Sequence, residues 1–180
     1  MLYRFLGTGK YNKCIYKFKG DLVETRFIQE AIISTVCRFW DWNKDIVSVF
    51  IPKKSKDANW FNGNDENRKL EEILRNKGVN FEEIQILEGQ TERKLWKIYD
   101  EIFDVIDDED NVVFDITHGL RSIPLQELVA LNCAKVIKNI SIAGIYYGAY
   151  EAREKVCNKV ITPIFDLTPF NKLLDEIRLK

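Results

Sequence analysis

Short β-branched runs alternate along this chain with amphipathic stretches of ten or more residues, and few folds accommodate that alternation. Met1–Leu6, Asp45–Ile51, Phe81–Leu87, Asn111–Ile116 and Ser141–Tyr147 read as strands. Thr25–Trp40 carries Phe27, Ile28, Ala31, Ile32, Thr35, Phe39 and Trp40 at helical spacing, and Glu24 or Thr25 is placed to cap it. Glu66–Asn76 reads as a charged helix closed by Lys77-Gly78. Thr91–Ile106 places Leu95, Ile98, Tyr99, Ile102 and Phe103 on one face. Ile123–Ile137 is apolar almost all round, which predicts a deeply packed helix, and Pro124 suits its first turn.

Strands separated by helices of this length cross over right-handedly and pair in parallel. The expectation is an α/β chain with a Rossmann-like three-layer fold: a mostly parallel central sheet and a small β-arm. Cys14–Lys19 suggests a hairpin arm, Lys155–Ile164 a terminal β-arm and Pro169–Ile177 a closing helix. Lys53–Asn64 is polar and rich in Lys, Asn and Gly; it reads as a mobile surface loop and as the candidate lid.

The length of 180 residues suits a single domain, 1–180. A formal net charge of −1 argues against coating long nucleic acid or an anionic membrane by bulk charge. It leaves room for a local basic pocket. Cys14, Cys37, Cys133 and Cys157 form no CxxC pair, so neither zinc ligation nor a redox motif is expected. Small buried thiols in a reducing cytoplasm explain them better. No leader and no apolar run of membrane length is visible, and no cofactor or metal is expected.

In open sheets of this kind ligands bind beyond the carboxyl ends of the strands, which directs attention to two loops. The first, Gly7-Thr8-Gly9-Lys10-Tyr11, combines glycines that admit close backbone approach with the donors of Thr8, Lys10 and Tyr11. It lacks the GxGxxG and Walker patterns, and an ordinary glycine turn explains it equally well. The second, Thr117-His118-Gly119-Leu120-Arg121-Ser122, is the stronger. It packs polar groups between an apolar strand and an apolar helix whose N-terminal amides suit an anion. Arg121 can chelate a phosphate with its planar fork. The plain alternative has Ser122 as a cap, His118 as a satisfied side chain and Arg121 paired with an acid. His118 is the only histidine, so no metal-ligand spacing exists around it. Asp115 suits fixing Thr117 or the loop backbone better than gripping a ribose.

LGTGKY, ETRFIQEA, FDITHGLRSIP and FDLTPFNKLLD together, in this order, resemble CARF domains, the CRISPR-associated Rossmann-fold sensors of type III systems, in the branch often fused to HEPN ribonucleases. DITHGLRSIP is the most specific piece. The resemblance implies a homodimer with a cyclic oligoadenylate, the tetra- or hexa-adenylate, across its two-fold axis; a ring of identical units suits an isologous dimer. Carried over by motif, Gly7, Thr8, Gly9, Lys10, Tyr11, Thr117, His118, Gly119, Leu120 and Arg121 bind ligand, with Ser122 ending the second loop. In effector members the segment like DLTPFNKLLD leads into a second domain. Here the chain stops at Lys180 without an R-x₄-H motif, which reads as an excised or free-standing sensor.

For a free-standing sensor the self-contained task is to destroy its signal. The expected chemistry is metal-independent ring nuclease cleavage, with Lys10 and Arg121 stabilising charge, Thr8, Thr117 and Ser122 positioning the 2′-hydroxyl or a phosphate oxygen, and His118 as acid or base. The binding-class alternative is a pure sensor controlling a missing HEPN domain or partner. A dinucleotide enzyme lacks its fingerprint and its acidic ribose residue, and a transcription regulator lacks a basic recognition helix.

Overall fold

The structure, a computed structural model, describes residues 1–60, 69–117 and 122–178. Among these, nine strands form one mixed sheet. Its heart is five parallel strands: β1 (Leu2–Phe5), β4 (Val47–Pro52), β5 (Phe81–Ile86), β6 (Asn111–Asp115) and β7 (Ser141–Gly148). They lie in the order β5-β4-β1-β6-β7. The chain thus runs outward from β1 to one edge, returns to the centre and runs outward to the other. This is a Rossmann-like doubly wound sheet, and its direction of winding reverses between β1 and β6.

The two presumed arms belong to the sheet. β9 (Lys159–Asp166) pairs antiparallel with β7 and parallel with β2 (Cys14–Phe18), which forms a hairpin with β3 (Asp21–Thr25). Thr162 and Cys14, both buried, meet where these strands join. β8 (Glu154–Val156) pairs with β9. The hairpin turn needs positive φ at Lys19 and Gly20, which glycine supplies without strain at the second position.

Helices cover both faces. α1 (Ile28–Thr35) and α3 (Leu70–Asn76) pack with Leu2, Leu6, Val47, Val49, Ile51 and Val113. α4 (Glu92–Val105) and α5 (Ile123–Ile137) cover Tyr3, Phe5, Phe50, Val112 and Phe114 on the other face. The split follows from strand alternation: odd and even positions of β1 feed different cores. α6 (Thr168–Arg178) closes the chain beside β7.

Three expectations change. α1 starts later than Thr25 because Thr25 is the last residue of β3. Its hydroxyl accepts the Phe27 amide at 3.1 Å and donates to Glu30 at 2.6 Å. Residues 53–60 are not a loose loop. They form a short helix, α2 (Lys53–Ser55), and a π-turn over Lys56–Trp60, with Trp60 buried edge-on against Phe81. The rest of the presumed lid, 61–64, lies outside the described residues. α5 is not deeply packed all round: Leu125, Val129, Val136 and Ile137 are exposed, Val136 to 75%. Only one face of α5 meets the sheet, so its remaining apolar residues point away from the core.

Candidate functional site

Because β1 and β6 are parallel neighbours, the loops that follow them emerge at the same edge. The first loop is braced from behind. The Tyr11 hydroxyl accepts the Gly7 amide at 2.9 Å and returns a longer bond to the Gly7 carbonyl. Asn59 Nδ2 donates to the carbonyls of Gly7 and Gly9 at 2.8 and 3.0 Å. Arg26 Nε donates to the Tyr11 carbonyl. Tyr11 is buried, which pushes its phenol pKa up, so it serves the loop from within. Thr8, Gly9 and Lys10 form the exposed tip, and a Cβ at Gly9 would meet only open space.

The second loop is anchored where it leaves β6. Asp115 closes β6 and is buried; its Oδ1 accepts the Thr117 amide at 3.0 Å. Thr117 Oγ1 in turn accepts the Gly148 amide at 2.8 Å, tying this loop to the end of β7. That end sits tightly on α1: a Cβ at Gly148 would come within 2.6 Å of Ile28 Cδ1. Ser122 precedes α5 without a side-chain capping bond, and Pro124 in the first turn of this fifteen-residue helix has no N–H to satisfy. His118, Gly119, Leu120 and Arg121 lie outside the described residues.

A cavity of ≈ 460 Å³ joins these parts. Gly7 and Thr8 line it from the loop after β1, Pro52 from β4, Lys54 and Ser55 from α2, Glu88 and Gln90 from beyond β5, and Ile123 from α5. The glycine loop and the start of α5 therefore share one cleft at the switch point. Lys54 within it is paired with Glu88 at 3.1 Å, whereas Lys10 makes no ion pair among the described residues.

Sequence reasoning missed three residues here. Arg4 is fully buried in β1 beside Asp115, and none of its nitrogens has a hydrogen-bond partner. Burial lowers its pKa to about 10, so it remains a cation at neutral pH. A lone arginine inside LYRFL was the available signal. Asn59, the brace of the first loop, hides in a polar run. Glu127 of α5 is buried against apolar neighbours, and desolvation raises its pKa well above the carboxylate range.

Among the described residues, no group of three or more His, Cys, Asp or Glu could hold a metal ion. No described helix is long and apolar enough to cross a membrane. No family model matches the chain. It is similar to CRISPR-associated protein MJ1674 of Methanocaldococcus jannaschii, with 25% identity over 207 aligned positions that cover 94% of this chain. The chain spans about a third (32%) of that relative's length, so the likeness reaches one portion of a CRISPR-associated protein and nearly the whole of this one.

Proposed function

We propose that this chain is a CARF-type domain of a type III CRISPR defence system that binds a cyclic oligoadenylate and cleaves it without a metal. The carrying observation is the shared cleft: the braced Gly7–Tyr11 loop and the start of α5 flank the β1/β6 switch point. Amides there and the cations Lys10 and Arg121 would hold phosphates. The similarity to a CRISPR-associated protein supports the biological setting.

The ligand is a symmetric ring, and a homodimer would present each loop to it twice. The outer face of α4 and α5 supports such pairing. Trp96, Leu125 and Val129 expose apolar surface there, around a groove of ≈ 520 Å³.

In the cleavage step the ribose 2′-oxygen attacks the adjoining phosphorus as the bond to the 5′-oxygen breaks. The products are a 2′,3′-cyclic phosphate and a 5′-hydroxyl; the 2′-proton leaves to a base and the 5′-oxygen gains one. Thr8, Thr117 and Ser122 would align the 2′-oxygen, His118 would move the proton, and Lys10 and Arg121 would offset the developing charge. The alternative is a sensor that binds the intact ring and controls a further domain or partner.

The test is incubation of pure protein with cyclic tetra- and hexa-adenylate in EDTA, followed by chromatography. Linear products formed at a rate that falls in Lys10→Ala and Arg121→Ala establish the nuclease. Tight binding of an unchanged ring leaves the sensor. Absence of binding to either ring refutes both.

A further inference from the structure

Between α5, α6 and β7 lies a second cavity of ≈ 540 Å³. Ile116 and Pro124, which bracket the second loop, form one wall. Leu128, Leu131, Ile145 and Leu167 make the interior apolar, and the largely exposed Phe170 stands at its margin. Two polar side chains break this surface. Glu127 is 1% exposed, lines the cavity and leaves Oε2 without a partner. Asn171, also buried, lines it with its Oδ1 accepting from Asn132 at 3.3 Å.

A buried acid with an unmatched oxygen in an apolar wall is costly unless something meets it. An anion is the wrong guest, because among the described residues no cation lines the cavity. A cation is disfavoured too, since desolvation raises the Glu127 pKa well above the ordinary carboxylate value and so favours the neutral carboxyl. A neutral carboxyl offers one donor and one acceptor side by side. Its complement is a flat, uncharged ring bearing an acceptor next to an amino group, held between apolar side chains that cover its faces.

We infer that this cavity is a base pocket: Glu127 pairs with the amino edge of one adenine of the bound oligoadenylate while Phe170 and the aliphatic wall enclose the ring. The inference rests on the reading given under Proposed function and deepens it. Glu127 is one helical turn from Ile123, about 6 Å along the axis of α5. Ile123 lines the phosphate cleft. One helix would thus serve a phosphate at its first turn and the base of the same strand at its second.

The experiment compares cyclic tetra- and hexa-adenylate with the same rings built from purine riboside, which lack only the 6-amino group. Binding is measured by calorimetry to the wild type, Glu127→Gln and Glu127→Leu. Glutamine keeps a neutral donor and acceptor; leucine removes both and suits the apolar wall. The wild type and Glu127→Gln should favour adenylate over the purine ring about tenfold, one hydrogen bond's worth of discrimination. Glu127→Leu should bind both alike while melting no earlier than the wild type. An undiminished adenylate preference in Glu127→Leu overturns the base pocket and leaves the proposed function standing. Failure of the wild type to bind any of the rings overturns both.

Discussion

Arg4 of β1 and Asp115 of β6 are register partners on adjacent parallel strands, both removed from solvent, yet no hydrogen bond or ion pair joins them. Asp115 spends one oxygen on the Thr117 amide and leaves the other without a partner. Coulombic attraction is what remains between the two: it raises the Arg4 pKa and lowers that of Asp115, but burial outweighs it on both groups. Asp115 ends the strand from which the second loop departs, and burial raises its pKa while the Thr117 hydrogen bonds and, least, the Arg4 charge oppose that rise.

Removing the cation should strand the acid. Arg4→Met is expected to cost about 3–5 kcal/mol in urea unfolding near neutral pH, the usual result of leaving one member of a buried pair. Adding Asp115→Asn, which can still accept the Thr117 amide, should recover most of that loss. Strictly additive single and double variants would show that the two charges do not sense each other.

Much of this was legible beforehand. β-branched runs and helical periodicity located the five parallel strands, and α5 was placed at Ile123–Ile137 because Pro124 and the polar turn before it mark its start. The convergence of both loops follows from that order alone. What periodicity does not carry is the partner of a surface. The hairpin and β9 look like arms because their pairing is between distant segments, as Thr162 and Cys14 show. α5 looks buried because hydrophobicity counts apolar residues without saying which of them meet the sheet. Arg4 and Glu127 escaped notice since an isolated charge in an apolar run gives no hint that it stays inside.

Asn59 supplies the only side-chain donors from outside the first loop to the Gly7 and Gly9 carbonyls among the described hydrogen bonds. Asn59→Ala should reduce stability by about 1–3 kcal/mol, since Asn59 is buried and its bonds are shielded from water. Ring binding should weaken by about tenfold as the loop loses its preset shape. Calorimetry on a variant shown to be folded by its melting curve separates the two effects. Unchanged affinity would mean that the loop conformation is set elsewhere.

The exposed apolar face of α4 and α5 leads to a prediction about assembly. Leu125 is 66% exposed and Val129 lies one turn further along the same helix. If this face pairs two copies, Leu125→Asp with Val129→Glu should convert a dimer to a monomer in sedimentation, because each buried aliphatic side chain contributes about 1.5–3 kcal/mol. The folded monomer should melt nearly as the wild type does once concentration is allowed for. A wild type that sediments as a monomer at every concentration would remove the homodimer from the account.

Glu127 gives stability a pH dependence of unusual sign. Its folded-state pKa is raised well above the ordinary carboxylate value by desolvation, with the Asp115 charge adding to the shift. Between the unfolded and folded values the native chain holds a proton that the unfolded chain has lost. Stability is therefore full below about pH 4.3, the ordinary glutamate value, and declines as pH rises, by about 1.4 kcal/mol per pH unit at most, until the folded value is passed. Glu127→Gln has no such proton to lose. Urea unfolding of the two proteins should give similar stabilities near pH 4 and a growing advantage for Glu127→Gln toward pH 8. Parallel curves across this range would show that Glu127 ionises normally in the folded chain, and with that the neutral carboxyl on which the base pocket depends would be lost.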